Sequence, residues 1–376
     1  MKEPVNSNRG TILDPEVGKA HTLPSSYYLD VEVLEREKHA IFWKTWQVIG
    51  YREQVANPGD YFTFDLVGEP LLVVRETNGG LRGFFNVCRH RAGPPAEGCG
   101  NRKVFRCGYH GWTYGLDGRL LNAPEMDGVC DFRHEDFGLR PVQVAEWGGL
   151  VFVNLDPQAE SLESWLGALP EQAAKFGLDR LRFFRRKDYE MDCNWKVYID
   201  NYMEGYHLPS VHPSLNRELD YSAYEVSLFD RYSLQTSPIR GPENESTVDR
   251  RYKQREGDMA AEYYWVYPNW MLNCYPDNMS LNIVLPLGHQ KCVAVFLWFF
   301  EEERLKSDAT ETTYKFSDEI QLEDGHICEV VQRNLRSQSY DRGRYSVKQE
   351  KSLHHFHRMY LDSMTAGADC RAGGGV

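Results

Sequence analysis

The sequence predicts an α+β protein, with an all-β domain inserted near the N-terminus and an α+β domain with an antiparallel sheet after it. Three observations carry this. Between residues 47 and 155 the chain runs through short β-branched and aromatic segments such as YFTFDLV, PLLVVRE and GGLVFVNL, punctuated by the turn dipeptides Pro58-Gly59, Asn78-Gly79 and Asp117-Gly118. From 156 onward helical and strand patterns mix, and residues 190–207 and 311–336 read as helices. Residues 264–300, YWVYPNWMLNCYPDNMSLNIVLPLGHQKCVAVFLWFF, read as successive strands of one sheet.

Ahead of these, residues 31–46 read as a helix with Asp30 as N-cap, and Leu34, Ile41, Phe42 and Trp46 share a face. The expected organisation is therefore 1–46 as a helical segment packed on the last domain, 47–155 as the β domain, and 156–376 as the α+β domain. Apolar residues at 41% and charged residues at 26% suit a chain with a real core. A net charge of −12 with no basic block argues against nucleic acid and anionic membrane surfaces as partners. No stretch approaches a membrane span, and MKEPVNSNRGTILDPEV has no apolar signal region, so a cytoplasmic location is expected. The nine cysteines are odd in number and scattered, which reads as metal ligands or buried fillers rather than disulfides.

The β domain contains CRH at 88–90 and CGYHGW at 107–112. The pattern is C-x-H, sixteen residues, then C-x-x-H. Zinc ribbons pair cysteines within one loop. Here each loop offers one Cys and one His, which suits a Rieske [2Fe–2S] cluster held by two thiolates on one iron and two imidazoles on the other. Cys88, His90, Cys107 and His110 are the expected ligands, with a structural zinc site as the alternative. Gly93, Gly108, Gly111, Pro94 and Pro95 permit tight backbone around buried sulfur. Cys99, between the loops, reads as a core or loop thiol.

Downstream lies NWKVYIDNYMEGYHLPSVHPSL, residues 194–215. Asn194 can cap a helix starting at Trp195. Asn201, Glu204 and His207 are spaced by three and are expected on one helix face, with Leu208-Pro209 ending the helix. His212 can turn back towards His207. Two imidazoles and a carboxylate make the facial triad of non-haem Fe(II), with positions left open for O2. Glu204 reads as a partner of the ligands, so the carboxylate must come from elsewhere. Asp324, expected at the start of a helical stretch, is the candidate ligand and Glu323 the alternative. A relay cluster also needs an acceptor, which an O2-activating iron supplies.

With both constellations in place, nearly the whole chain resembles the α subunit of Rieske non-haem iron oxygenases, the ring-hydroxylating family. The stretches VYPNWMLNCYPDNMSLNIVLPLG (266–288), ICEVVQRNLRSQSYDRGRYS (327–346) and HHFH (354–357) are similar to the choline and carnitine monooxygenase branch. The resemblance implies a helix-grip-like catalytic domain. It implies that Cys88, His90, Cys107 and His110 hold the cluster and that His207, His212 and Asp324 hold Fe(II). It further implies a homotrimer in which electrons cross between subunits, with Glu204 bridging the two centres and Asn201 beside it. No dinucleotide or flavin fingerprint occurs, so NAD(P)H oxidation falls to a separate reductase.

The implied reaction is O2- and NAD(P)H-dependent mono-oxygenation, by hydroxylation or oxidative N-demethylation, of a quaternary ammonium compound such as choline or a betaine. Aromatic faces recognise such cations. Tyr202, Tyr206, Trp265, Tyr267, Trp270 and Tyr275 are the aromatic candidates, of which about two are expected to face the pocket, since aromatics at strand and helix spacing mostly fill cores. A substrate carboxylate would call on Arg217, Arg231 or Arg240. Hydroxylation of an aromatic ring or acid is the alternative activity, and a Rieske electron carrier the non-enzyme alternative. His354, His355 and His357 read as a packed or solvated helix end, and Cys328 and Cys370 as packing or tail thiols.

Overall fold

The computed structural model describes residues 13–219, 221–238 and 261–372. The chain divides into two compact units. One runs from Phe42 to Pro170; the other joins the segment up to Ile41 with everything from Glu171 onward. The sequence reading put these boundaries at 46/47 and 155/156.

The segment before Phe42 forms α1 (Ser26–Leu29) and α2 (Val31–Glu37). Asp30 caps α2 by accepting the Glu32 N–H at 2.9 Å. The expected single helix over 31–46 stops short: a π turn occupies Lys38–Phe42, and Gln47 already lies in a strand.

The Phe42–Pro170 unit is built from strands β1 (Gln47–Tyr51), β2 (Asp60–Leu66), β3 (Glu69–Arg75), β4 (Leu81–Phe85), β5 (Cys99–Asn101), β6 (Phe105–Arg106), β7 (Thr113–Tyr114), β8 (Leu120–Asn122), β9 (Pro141–Trp147) and β10 (Leu150–Asn154). Seven form an antiparallel sheet in the order β1-β10-β9-β4-β3-β2-β5, and β6-β7-β8 form a small second sheet. Tyr61, Leu72, Phe84, Phe105, Trp112 and Tyr114 make its core together with Cys88 and Cys107. Short helices α3 (Leu162–Leu166) and α4 (Leu169–Ala173) follow, α3 capped by Ser161.

In the other unit, seven antiparallel strands are ordered β11-β17-β16-β15-β14-β13-β12. They are β11 (Arg182–Met191), β12 (Glu225–Leu228), β13 (Tyr232–Ser237), β14 (Ala261–Val266), β15 (Trp270–Tyr275), β16 (Asn278–Gly288) and β17 (Lys291–Phe300). Between β11 and β12 lie α5 (Trp195–Tyr202), α6 (Leu208–Val211) and α7 (Pro213–Glu218); α8 (Asp308–Asn334) and α9 (Lys351–Ala372) follow the sheet. The fold class is the one expected, but the local reading of 190–207 needs correction. Residues up to Met191 extend a strand, because β11 pairs with β17 all the way to Met191↔Cys292. The helix then runs only from Trp195, with Asn194 accepting the Lys196 N–H at 3.0 Å, to Tyr202.

Glu204 and His207 therefore do not continue the helix of Asn201. They occupy the turn beyond it, and Leu208-Pro209 starts α6 instead of ending a helix. Proline is tolerated in a first turn, where its missing N–H would have had no helical partner. Asp324 likewise sits well inside α8, not near its start. Among the described residues no helix is long and apolar enough to cross a membrane.

Candidate active site and metal centres

In the Phe42–Pro170 unit the two Cys/His loops close with the same backbone pattern. Cys88 N donates to Gly93 O (2.9 Å) and Ala92 N to Cys88 O (3.0 Å); Cys107 N donates to Trp112 O (2.9 Å) and Gly111 N to Cys107 O (3.0 Å). The residue four after each cysteine takes a left-handed conformation, Gly111 at φ 73° and Ala92 at φ 58°. Glycine meets that demand freely and alanine at some strain. A side-chain carbon at Gly93 would stand 2.9 Å from Cys107 Sγ, so only glycine leaves the sulfur its space.

Both cysteines are buried, while His90 is half-buried and His110 exposed. The imidazoles face each other with ring centroids 4.5 Å apart, and His90 stacks on Trp112. His90 Nδ1 is buried without a protein partner. The Tyr114 hydroxyl accepts the Arg89 N–H at 3.0 Å and lies 3.2 Å from Cys88 Sγ, which leaves its own proton free to point at the sulfur. Burial, then the nearby Cys88, raises the Cys107 pKa, while burial, His110 and Arg91 lower that of His90. Buried thiols beside neutral imidazoles suit cationic irons, whose charge stabilises the thiolates. The four side chains fit a Rieske cluster, with sulfurs inside and imidazoles at the surface.

In the other unit His207, His212 and Asp324 offer ligand atoms all within 4.8 Å of one another. Asp324 Oδ1 lies 2.8 Å from His212 Nε2 and 3.6 Å from His207 Nε2. Each imidazole turns its other nitrogen to a different carboxylate. His207 Nδ1 stands 2.7 Å from Glu204 Oε1, and His212 Nδ1 2.6 Å from Glu323 Oε2. A carboxylate on Nδ1 holds the proton there and leaves Nε2 as a lone-pair donor, the arrangement that orients metal-binding histidines. Glu323 therefore partners a histidine on its far side, and Asp324 is the carboxylate of the cluster. Burial opposes charge on His212, yet Asp324 and Glu323 outweigh it and raise its pKa. Glu204 is itself fixed by accepting the backbone N–H groups of Tyr206 and His207, the latter at 3.1 Å. Two histidines and one carboxylate, all supplied by a helix and the turns packed against it, suit Fe(II) with open positions.

Beside the triad lies a cavity of about 120 Å³. Its sheet wall follows from strand register. Gln235 pairs with Tyr263, Tyr263 with Asn273, and Asn273 with Ser280, so one row of side chains shares a face. Asn282, paired with Phe296, lies in the next row on that face. Helix α5 contributes Tyr198, Asn201 and Tyr202, and α8 contributes Gln321 and Asp324. The tyrosines are pinned through their hydroxyls. Tyr202 donates to Asn273 Oδ1 (2.7 Å), Tyr198 to Gln321, and Tyr224 to Gln235, while the Tyr263 and Tyr275 hydroxyls meet at 3.2 Å. Burial raises the pKa values of Tyr198, Tyr202, Tyr224 and Tyr263 well above the ordinary range, so the rings stay neutral. Among the described residues no Lys or Arg lines the cavity.

Of the six aromatics singled out from the sequence, Tyr202 and Tyr275 line this cavity. Four do not. Tyr206 is 59% exposed, in the turn between Glu204 and His207. Trp270 alternates onto the opposite sheet face. Trp265 lies on the cavity face but two residues farther along β14, covered by Phe356 of α9. Tyr267 follows β14 and donates to Ser363 on α9 at 2.7 Å. Sequence reasoning missed Tyr198, Tyr224, Tyr263 and the amides between them. The available signal was polar residues at alternate positions within otherwise apolar strands: Asn273, Ser280 and Asn282.

The neighbouring histidines are structural. His354 and His355 meet the carbonyls of Asp14 and Phe229 at 2.8 and 2.7 Å, and His357 lies between Asp200 (3.0 Å) and Tyr345 (2.6 Å). Cys328 is buried and Cys99 exposed. Arg217 is exposed and does not line the cavity, nor does Arg231; Arg240 and the Cys370 side chain lie outside the described residues.

Known proteins match both units. Residues 45–133 match the Rieske [2Fe-2S] domain, and residues 178–366 match the ring hydroxylating alpha subunit (catalytic domain). The chain is 38% identical over 363 residues to the chloroplastic choline monooxygenase of Arabidopsis thaliana, spanning 92% of this chain and 84% of that one. It is 30% identical over 355 residues to the carnitine monooxygenase oxygenase subunit of Escherichia coli (strain K12), spanning 91% and 93%. The crystal structure of the quaternary ammonium Rieske monooxygenase CntA with L-carnitine superposes at a TM-score of 0.83 and 28% identity, over 94% of this chain and 100% of that one. An electron carrier alone would have no use for the second ligand set, and the catalytic-domain match agrees: the chain belongs to the Rieske-type ring-hydroxylating oxygenases, as an α subunit that joins a Rieske [2Fe–2S] domain to a catalytic non-haem iron domain.

Proposed function

We propose that this chain is the oxygenase component of a multicomponent system that mono-oxygenates a small quaternary ammonium compound, choline or a betaine. The carrying observation is the cavity beside the triad, walled by tyrosines that are neutral, mostly half-buried and held through their hydroxyls. Ring faces attract a cation without the desolvation cost of a buried counter-charge, and the Glu204 and Asp324 carboxylates add a negative field at the same cavity. The names of the relatives support the same class.

Cys88, His90, Cys107 and His110 hold the [2Fe–2S] cluster in this reading, and His207, His212 and Asp324 hold the iron. When bound, these groups supply one-electron transfer and O2 activation. The protein's own work is positional. Glu323 and Glu204 keep the two imidazoles in the Nδ1–H tautomer, facing Asp324. Tyr202 and Tyr224 hold the cation, and the apolar rim of Leu208, Leu215 and Leu219 limits water. Electrons come from NAD(P)H through a separate reductase, and the assembly is a homotrimer in which Glu204 links His207 to the adjoining copy's cluster.

Asp324→Ala tests the assignment. It is expected to lose the mononuclear iron while the visible spectrum of the cluster stays unchanged; retention of all the iron would mean that another carboxylate is the ligand. Substrate-dependent O2 uptake with product identification, run on choline, betaines and aromatic acids, tests the substrate class, and turnover of aromatic acids alone would refute the cation reading.

A further inference from the structure

Resting on the reading that a separate reductase feeds the cluster, we propose that Arg91, Arg102, Lys103 and Arg106 form a docking surface for an acidic one-electron donor protein, set around the exposed edge of His110. The chain as a whole carries −12, but residues 88–112, which hold both Cys/His loops, contain five basic side chains and one acid, Glu97, a local charge of +4. The rest of the Phe42–Pro170 unit carries −8. The four named bases are exposed, and the fifth, Arg89, is half-buried. Elsewhere in the unit Lys44, Arg75, Arg82, Arg119 and Arg133 each meet a carboxylate, but among the described residues none of these five does.

The bases border the imidazoles. Arg91 follows His90 directly. The Arg106 guanidinium lies against Gly111, where a side-chain carbon would stand 3.1 Å from it, and so borders the turn that carries His110. Arg102 and Lys103 precede it, with Arg102 at most about 14 Å of chain from Arg106. The acidic stretch 125–136 lies towards the other imidazole, since its Phe132 packs on Trp112, the ring on which His90 stacks. The basic stretch also exposes two apolar side chains, Val104 at 40% and Tyr109 at 64%, and the Tyr109 ring lies 3.7 Å from that of His110. A small apolar patch at the edge of a redox group, ringed by one sign of charge, suits a brief encounter in which charge sets the rate and orientation of approach. An adjoining copy of the chain is poorly suited to supply the counter-charge, because its carboxylates around Glu204 are engaged within their own chain. Glu204 accepts from Tyr206 and His207, Asp200 accepts from Tyr28 at 2.6 Å and lies 3.0 Å from His357, and Glu323 lies 2.6 Å from His212. The step served is the passage of one electron: the donor is oxidised by one, the cluster is reduced by one, and no bond forms or breaks.

Stopped-flow absorbance of the cluster in the full, iron-loaded chain tests this. Re-oxidation of the reduced cluster by the anion hexacyanoferrate(III) should slow by about tenfold from low to high salt, and re-oxidation by the cation hexaammineruthenium(III) should not slow. A chain of −12 without a positive collar gives the reverse order, and that result overturns the proposal. Reduction by an acidic plant-type [2Fe–2S] ferredoxin should also slow by about tenfold with salt. At low salt it should slow by about as much in a variant carrying Arg91→Gln, Arg102→Gln, Lys103→Gln and Arg106→Gln. That variant should keep the cluster absorbance, the mass in solution and the product formed in one turnover by the pre-reduced protein. A ferredoxin rate indifferent to salt, or unchanged in the variant, overturns the docking surface. A variant that loses its oligomeric state makes the collar a contact between copies and overturns it too. Reduction of the cluster by NADH with no second protein would remove the reductase reading itself, whereas an inverted small-ion order removes only the collar. The small-ion series on the unaltered protein decides the matter even where the variant does not fold.

Discussion

Helix α5, which carries Tyr198, Asn201 and Tyr202 to the cavity, is anchored at its start by a fully buried ion pair. Lys196 Nζ lies 2.5 Å from Glu37 Oε1, and both side chains are 0% exposed. Glu37 also accepts from Trp195 Nε1 (2.8 Å) and the Tyr360 hydroxyl (2.6 Å), and the ammonium lies 5.5, 5.3 and 5.4 Å from the ring centroids of Tyr28, Trp195 and Tyr360. Burial lowers the Lys196 pKa, with Glu37 opposing it. At 2.5 Å and an effective dielectric constant of about 20, the bare attraction is about 7 kcal/mol. Desolvation of two ions offsets several kcal/mol for each, so the intact pair is close to break-even, whereas removing one partner strands the other. Lys196→Met should therefore cost about 3–5 kcal/mol, and Lys196→Met with Glu37→Leu much less than that. Guanidinium unfolding of the metal-loaded protein, followed by tryptophan fluorescence, measures both, with iron content alongside. The single variant should lose mononuclear iron as α5 loosens, and the double variant should regain it. A single variant within about 1 kcal/mol of the parent would refute the reasoning, since that is the range of an exposed pair. So would a double variant as unstable as the single.

Three further outcomes follow from the geometry. Glu204→Gln should keep both metals and lower product formation by roughly 10–100-fold, because it alters the carboxylate on His207 Nδ1 without touching a ligand atom; iron analysis paired with O2 uptake checks this. Gly93→Ala places a carbon 2.9 Å from Cys107 Sγ and should reduce the cluster absorbance per chain while leaving mononuclear iron bound. Glu350, which lines a second cavity with Asp200 and Glu204, has its pKa raised, first by burial and then by the charges of Glu204 and Asp200. A raised carboxyl pKa means that the folded state favours the protonated form. The associated stability is present at low pH and lost as pH rises through the folded pKa. Glu350→Gln should thus raise the thermal midpoint more at pH 8 than at pH 5, and an equal gain at both would contradict the sign.

The Cys/His loops were legible because their chemistry is local. Each Cys/His pair lies within one tight turn, and the glycines that the turn needs are written beside it. The triad was legible in part. His207 and His212 lie five residues apart, but the choice between Glu323 and Asp324 was open, because adjacent helical residues differ only in which side of His212 they reach. The helix read over 190–207 went wrong at both ends, at the start for a non-local reason and at the end for a local one: Met191 is claimed by a strand partner at Cys292, and the Glu204 carboxylate caps the N–H groups of Tyr206 and His207 in the turn that follows. Two of the six aromatics reached the cavity: the odd spacing of Trp270 and Tyr275 sets them on opposite faces of one strand, but which face meets the cavity is decided by the sheet.

Residue type, spacing and turn chemistry were enough to point to the two-part α+β architecture, to the two Cys/His loops and to the His207–His212 pair, since these rest on contacts within a few residues or on period-two and period-3.6 patterns. The cavity rests on register. Gln235, Tyr263, Asn273 and Ser280 come from four strands and share a wall because hydrogen-bonded ladders align them, and α8 brings Gln321 and Asp324 against α5 from more than a hundred residues away. A one-residue slip would turn that row to the other face, so the identity of the pocket belongs to the folded sheet and not to any stretch of the chain.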